Sequence, residues 1–535
     1  MNLPGGHHLV KALTRHGVDT LFTLSGGHVF PIFDGAVKEG VRLLDVRHEQ
    51  TAAFAAEAVG KLTGEPGVAV VTAGPGVTNT VSAVTAAFEN GSPLMVVGGR
   101  APAFRWGQGS LQEFDHVPLM APITKSAHTV TSVADTVDMV DSAWTTATTP
   151  KQGPVFIDAG VDVQVSPAEL DYPELQTRAL EAAPLEDIEA LAELIDRSRR
   201  PVIVAGSAVQ LAGAHRQVRR LAEAASIPMF ANGLGRGTLP ADHPLSFSRA
   251  RSVAFKTADL VVVVGTPLDF RLGFGQFGDA AVAHVVDHGD GLASHVDLAV
   301  GLMGDLTPTL ETLAAAVTRT DRSDWIETLR QSEIDKRTED RDQMSTTGSP
   351  IHPARLYGEL LPYLDDKTVV IGDGGDFVSY AGRFVDAPLP GRWLDPGPFG
   401  CLGSGFGYAI GASVAQPDCR IVVLAGDGAF GFAGIEIDTL VRHGIDVTVV
   451  IGNNGIWGLE KHPMRAFYGY DVVADLQEGC RYDQMAQALG AKGTLVAEPE
   501  TLSPTFDDAF STGGVSVINV LTDPTVAYPR SANLM

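Results

Sequence analysis

Cysteine is scarce: the 535 residues contain only Cys401, Cys419 and Cys480. The count is odd and no pair has metal-ligand spacing, which excludes a disulfide framework and a cysteine-based metal centre and predicts a reduced, cytoplasmic setting. Basic residues are also short, with 39 Lys and Arg against 64 Asp and Glu, a formal charge of −25. A chain this acidic has no general attraction for nucleic acid or anionic membranes, so neither is an expected partner. Any anionic cofactor must be held by local devices: a metal, helix N-termini and glycine amides. Apolar runs long enough to span a bilayer are missing, and the N-terminal MNLPGGHHLVKALTRHGVDT lacks the apolar core and cleavage site of a leader. The C-terminal SANLM is the one stretch that reads as a possible targeting tail. Glycine, by contrast, is plentiful at 59 residues, which suits nucleotide and phosphate loops better than a helical bundle.

Short β-branched runs recur along the chain: TLFTL, GVAVVTAG, PLMVVGG and GPVFIDAG, then PVIVAG, DLVVVVG and AHVVDHG, then KTVVIGDG, RIVVLAGDG, DVTVVIGNN and VSVINVL. Continuous apolar runs of this length read as strands buried on both faces of parallel sheets, and the helical stretches between them as crossovers. Two polar stretches, residues 165–187 and 318–352, read as linkers, the second as a connecting helix followed by a loop. The expected fold class is therefore α/β, with three doubly wound parallel-sheet domains over residues 1–165, 186–318 and 350–535.

The most informative segment is IVVLAGDGAFGFAGIEIDTLVRHGIDVTVVIGNN, residues 421–454. One buried strand ends in Gly426-Asp427-Gly428 and a second in Asn453-Asn454. In a parallel sheet both arrive at the carboxyl edge, where ligands bind. Asp427 and Asn454 can offer hard oxygens to one Mg²⁺ there, with a backbone carbonyl as a third donor and diphosphate oxygens and water completing the octahedron. Gly428 lets the backbone approach phosphates, and the following helix points its positive end at them. Gly374-Gly375-Asp376, after KTVVIGDG, would put a further loop on the same edge.

GDG followed by NN, with Asn454 27 positions after Asp427, resembles the metal and cofactor motif of thiamine diphosphate enzymes, and nearly the whole chain resembles the acetolactate synthase superfamily. The resemblance implies a pyrimidine-binding first domain, a Rossmann-like middle domain and a diphosphate-binding third domain. It makes the Ile456 carbonyl the third Mg²⁺ ligand and gives the diphosphate to the amides of Gly375 and Asp376 and to Gly428 and Ala429. In LLDVRHEQTAAF it makes Glu49 the acid that shares a proton with N1′ of the cofactor pyrimidine, in apolar surroundings and with a raised pKa. TAGPGVTN supplies Pro75 and Asn79 under that ring. In GPFGCLGSGFGYAIGA, Leu402 becomes the wedge that bends the cofactor, although acetolactate synthases usually carry Met there, while the Gly400 carbonyl and Leu402 amide bind the aminopyrimidine. Gln112, in GSLQEFDHV, reaches the reaction centre. In the family the acid and the metal site meet across a subunit interface, which implies a homodimer or homotetramer.

The resemblance is looser about substrate. GGHVFPIFDG, RHEQ, GPGVTN, ITK and the Phe467-Tyr468 pair match acetolactate synthases, but the Trp that selects the second keto acid is replaced by Pro463. The middle-domain motif that accompanies FAD is present only as GTPLDFRLGFG, which leaves FAD or ADP open. His28, APITKSAHTV and IDTLVR are similar to benzaldehyde lyase; GFGYAIGA, a strand-end Asp287 and the terminal RSANLM are similar to 2-hydroxyacyl-CoA and oxalyl-CoA lyases. A His28 beside the thiazolium would relay protons; the plain alternative is a packed histidine. Glu460 stands where decarboxylases carry a catalytic Glu; the alternative is an exposed helix residue paired with Lys461 or Arg465. The expected activity is a carboligase or decarboxylase joining an enamine from a 2-keto acid to a second carbonyl, with keto acids and aldehydes as substrates. The alternative is cleavage of an acyloin or 2-hydroxyacyl-CoA.

Overall fold

The computed structural model describes residues 2–529. It contains three six-stranded, all-parallel sheets with helices between the strands, as the continuous apolar runs predict. The chain divides into two compact units, Met1–Leu180 with Pro396–Pro417, and Glu181–Asp395 with Asp418–Met535.

The first unit holds the sheet Arg42–Asp45, Thr20–Thr23, Gly67–Val71, Leu94–Arg100, Pro154–Gly160, Ser126–Val130, in that spatial order. Its inner strands are buried on both faces, which is why they read as unbroken apolar runs. The Ala-rich helix Glu49–Thr63 is buried nearly all round, and the helix Ser404–Ala415 packs along it. A Cβ on Gly407 would stand 2.5 Å from that of Phe54, and one on Gly411 2.1 Å from the Ala55 carbonyl oxygen. The small residues of GFGYAIGA are thus required by the closeness of two helices. Tyr408 spans the same crossing: its hydroxyl donates to buried Glu57 (2.9 Å) and accepts from buried Lys61 (2.8 Å).

The second unit carries two sheets. In the order Ser246–Phe247, Met229–Ala231, Pro201–Ala205, Leu260–Val264, Ala281–Val286, Val300–Met303, the first is covered on both faces. Ile203, Val262 and Val264 pack into one apolar cluster, and Val202, Val204, Val261 and Val263 into another, the period-two alternation of a doubly wound sheet. The other sheet runs Trp393–Leu394, Thr368–Asp373, Arg420–Gly426, Val447–Asn453, Val515–Leu521, Lys492–Val496. Between them the charged stretch forms the expected connecting helix, Ser323–Met344, followed by a loop. Trp325 anchors that helix by donating to the Pro201 carbonyl (3.1 Å). Residues 171–184, within the other polar stretch, lack regular structure. No helix among the described residues is long and apolar enough to cross a membrane.

Candidate functional site

In the second unit, Gly426 of one strand is paired in register with Gly452 of the next, so the two strand ends deliver Asp427 and Asn453-Asn454 to one edge. Asp427 opens the helix Asp427–Ala433 and is 3% exposed. Its Oδ1 accepts from the Gly428 amide (2.9 Å) and its Oδ2 from the Gly455 amide (2.7 Å). Burial pushes its carboxyl up to about 6, against the opposing pull of those amides. A buried carboxylate so placed gains from a neighbouring cation. The Asn454 side chain turns back to accept from the Ile456 amide (3.2 Å), and Gly455 between them has φ +67°. Asn453 faces the other way, donating to the Cys480 carbonyl and Asn519 at 3.0 Å each. Among the described residues no three His, Cys, Asp or Glu side chains converge as a metal-ligand group. The donor set at these two strand ends is the Asp427 carboxylate, the Asn454 amide oxygen and backbone carbonyls, which suits a hard divalent cation sharing its shell with ligand oxygens.

The Gly374-Gly375-Asp376 loop lies on the same edge. A Cβ on Gly374 would be 3.2 Å from the Gly426 nitrogen, and one on Gly375 2.5 Å from Leu459. Gly375 precedes the helix Asp376–Phe384. The Asp376 carboxylate accepts from the Tyr528 amide at 3.1 and 3.2 Å, so the residues just before the C-terminus are tied to this loop; RSANLM itself lies outside the described residues. Gly428 is covered by Trp457, whose ring would be 2.4 Å from an added Cβ, and Ala429 is buried. Glu460 is exposed on the helix Gly458–Tyr468. Lys461 and Arg465 do not serve as its partners: Lys461 pairs with Asp471 and Asp475, and Arg465 with Asp471. Pro463 sits inside that helix.

In the first unit, Glu49 is the first residue of its helix and is buried. Asn79 donates to its Oε2 (2.9 Å). Asn79 ends a one-turn helix begun by Pro75, and the Asn79 amide donates to the Pro75 carbonyl (2.9 Å). Gln112 adopts φ +55°, in the left-handed region that non-glycine residues rarely enter. Its Oε1 accepts from Thr72 Oγ1 (3.3 Å), and His28 Nδ1 lies 3.3 Å from the same hydroxyl. Burial holds the His28 imidazole below the usual histidine range, against hydrogen bonds with the Leu111 backbone and Gln112. His28 and Gln112 are thus brought together through Thr72. Leu402, half-buried, and Gly400, exposed with φ +71°, precede the helix Ser404–Ala415 that packs along the Glu49 helix.

Thr72, which bridges His28 and Gln112, is a functional residue that carries no sequence signal of its own. The same holds for His116, which accepts from the Gly74 amide just before the Pro75 turn, and for Asp158 beside it.

The second unit also contains a cavity of about 780 Å³ lined by Arg236, Arg249, Arg251, Arg271, Arg337 and Arg383, among others. Arg249 and Arg337 share Asp386 (2.8 and 2.9 Å), whereas Arg236 donates to the carbonyls of Val385 and Gly382. Burial, with Arg236 and Arg271 nearby, presses the Arg251 guanidinium down to about 10. On a chain of charge −25 this concentration of guanidinium groups suits an anionic ligand. Asp287 is not among the lining residues; its carboxylate is 2.8 Å from His288. Asp269 of GTPLDFRLGFG is engaged by Arg271 (2.6 Å).

Comparison with known proteins follows the same division. Residues 3–119 match the N-terminal TPP binding domain of thiamine pyrophosphate enzymes, 188–313 their central domain and 373–520 their C-terminal TPP binding domain. The chain is 50% identical over 534 residues to a probable acetolactate synthase of Mycobacterium bovis, covering 99% of this chain and 97% of that one. The same values hold for the acetolactate synthase large subunit of Mycobacterium tuberculosis. It is 34% identical over 549 residues to 2-hydroxyacyl-CoA lyase 2 of Homo sapiens, covering 92% of this chain and 85% of the relative.

Proposed function

This chain belongs to the thiamine pyrophosphate enzyme family, and from that premise we propose that it joins a 2-keto-acid-derived fragment to a second carbonyl compound, as an acetolactate synthase-like carboligase. The observation that carries this reading is the 50% identity over 99% of the chain to acetolactate synthases, together with the buried Glu49–Asn79 pair and the Asp427 strand edge.

Thiamine diphosphate, when bound, supplies a nucleophilic carbon and an electron sink for the bond broken next to a carbonyl. The chain's own residues supply position and protons. Glu49 holds a proton at the pyrimidine, and the Asn79 amide steadies its other oxygen. Asp427, Asn454 and the Ile456 carbonyl hold Mg²⁺, which offsets the repulsion between an acidic protein and a diphosphate. The amides of Gly375, Asp376, Gly428 and Ala429 receive phosphate oxygens, and Leu402 and Gly400 shape the aminopyrimidine seat. We assign the arginine-lined cavity to a nucleotide, FAD or ADP. We read the working assembly as a cytoplasmic homodimer or homotetramer in which Glu49 of one copy serves the metal site of another.

The reading is tested by assaying purified protein with pyruvate alone, with pyruvate plus an aldehyde, and with a 2-hydroxyacyl-CoA, alongside the visible spectrum, in which bound FAD absorbs and ADP does not. Acetolactate from pyruvate is the expected product. Turnover confined to the acyl-CoA would replace this reading by the lyase one.

A specific feature favours that second reading. His28 and Gln112 meet through Thr72, and a paired histidine and amide suit moving a proton on and off a hydroxyl. Single His28→Ala and Glu460→Ala variants should lose acyloin ligation or cleavage by about 10-fold or more, while initial decarboxylation falls less. Equal loss of both reactions would make the two side chains structural.

A further inference from the structure

The residues around Glu49 are held in place by a histidine whose two ring nitrogens are both engaged. His116 and Asp158 are completely buried. The Gly74 amide donates to His116 Nε2 (2.9 Å), and His116 Nδ1 lies 2.8 Å from Asp158 Oδ2. An imidazole nitrogen that accepts from an amide carries no proton, so the ring is the Nδ1–H tautomer and donates to Asp158. Arg100 donates to the same Asp158 oxygen (3.0 Å) and fixes that carboxylate from the other side. The rings of Phe114 and Phe156 pack against the imidazole.

The Gly74 amide controls two site elements. Gly74 adopts φ +59° and ψ −112°, a backbone conformation open essentially to glycine alone, and it starts the Pro75–Thr78 turn. The turn leads into Asn79, which donates to Glu49. On its other side Gly74 abuts Gln112, whose Cβ and carbonyl oxygen lie 3.0 Å from where a Gly74 Cβ would be. His116 follows Gln112 on the same loop. One imidazole therefore locks the loop that carries Asn79 against the loop that carries Gln112.

We propose that His116, oriented by Asp158, is a positioning residue that sets the Gly74 turn and so the register of Asn79 on Glu49 and the seat of Gln112. The proposal rests on the role given to Glu49 above and adds how that role is kept in geometry.

The test compares two polar substitutions in the full chain with saturating thiamine diphosphate and Mg²⁺. His116→Asn keeps a donor near Nδ1 for Asp158 but leaves the Gly74 amide without its acceptor. His116→Gln keeps an acceptor near Nε2. The readouts are hydrogen–deuterium exchange at C2 of bound thiamine diphosphate, cofactor affinity and the thermal midpoint, with Glu49→Gln as the reference for a disabled acid. His116→Asn should slow the exchange by about 10- to 100-fold with cofactor affinity nearly kept, and His116→Gln should restore most of the rate. A histidine that merely fills the core would shift the thermal midpoint and leave exchange per bound cofactor alone. Wild-type exchange in His116→Asn, or equal slowing in both variants, overturns the proposal. If His116→Asn does not fold, Asp158→Asn, which loosens the hold on the tautomer at unchanged shape, is read against the same limits. Unchanged exchange in Glu49→Gln would overturn the role of Glu49 and this inference with it. Slowing there without slowing at His116 overturns this inference alone.

Discussion

Glu49→Gln is expected to remove activity by about 10² to 10⁴-fold, the usual worth of one positioned acid or base, or about 3–5 kcal/mol of barrier. The fold should survive. Gln has the shape of Glu and keeps an oxygen for the Asn79 amide that now reaches Glu49 Oε2 at 2.9 Å. What it lacks is a proton that can be shared with a ring nitrogen. The carboxyl is buried at the start of a helix that is itself buried nearly all round, so no solvent group is in place to substitute for it. Circular dichroism, thermal midpoint and thiamine diphosphate affinity should match the wild type, and only turnover should collapse. Near wild-type turnover at saturating cofactor would remove Glu49 from the chemistry.

The inner strands of the three sheets, all but the three-residue Met229–Ala231, were legible because burial on both faces leaves no polar position to interrupt the run. VVVV at 261–264 and VVLA at 422–425 are completely or almost completely buried, and nothing but a central strand accounts for them. Strands that the run criterion missed lie mostly at sheet edges: Ser126–Val130, Ser246–Phe247, Val300–Met303, Trp393–Leu394 and Lys492–Val496. An edge strand pairs on one side only, is short, and keeps polar side chains. SAHTV and KGTLV carry exposed or half-buried residues at most positions, and in isolation they do not differ from loop sequence.

The site divides in the same way. Asp427, Asn454 and Glu49 stand in compact motifs because each sits at a strand or helix end, Asp427 and Asn454 with glycine beside them, and that demand is local. His116, Asp158 and Thr72 answer to a different demand. Asp158 and the Gly74 amide each lie 42 residues from His116 in sequence, and the three meet only through the fold: Asp158 lies within the strand Pro154–Gly160, Gly74 follows the strand Gly67–Val71, and His116 precedes the helix Val117–Met120. No spacing rule connects them. The left-handed Gln112 (φ +55°) is equally illegible, since its conformation is imposed by the Gly74 turn against it and not by its own type. Glu460 shows the converse limit: its position in a motif can be read, but its surroundings, with Lys461 and Arg465 drawn to Asp471 and Asp475, cannot.

Asp427→Ala is expected to abolish Mg²⁺-dependent binding of thiamine diphosphate, lowering affinity by at least about 100-fold, since loss even of an outer-shell partner costs a metal site about 10- to 100-fold. The expectation follows from charge. At −25 overall the protein repels a diphosphate at long range, and local amides alone must then hold it. Asp427 is a buried acid on the strand edge, its carboxyl pushed up to about 6 by burial. Mg²⁺ held there would supply a positive charge that offsets the burial of Asp427 and attracts a diphosphate. In the wild type, Mg²⁺ with thiamine diphosphate at about 100 times the dissociation constant should stabilise the fold by about 2.7 kcal/mol. In Asp427→Ala the thermal midpoint should not move when both are added. Calorimetry on chelator-treated protein, titrated with the cofactor with and without Mg²⁺, checks the same point directly. Mixing Asp427→Ala with Glu49→Gln chains extends it. If Glu49 of one copy serves the metal site of another, a mixed dimer contains one intact site, and activity should reappear on subunit exchange although neither parent is active. Equal cofactor affinity in Asp427→Ala and wild type would place the diphosphate elsewhere, and silence after proven exchange would place both residues in one copy's site.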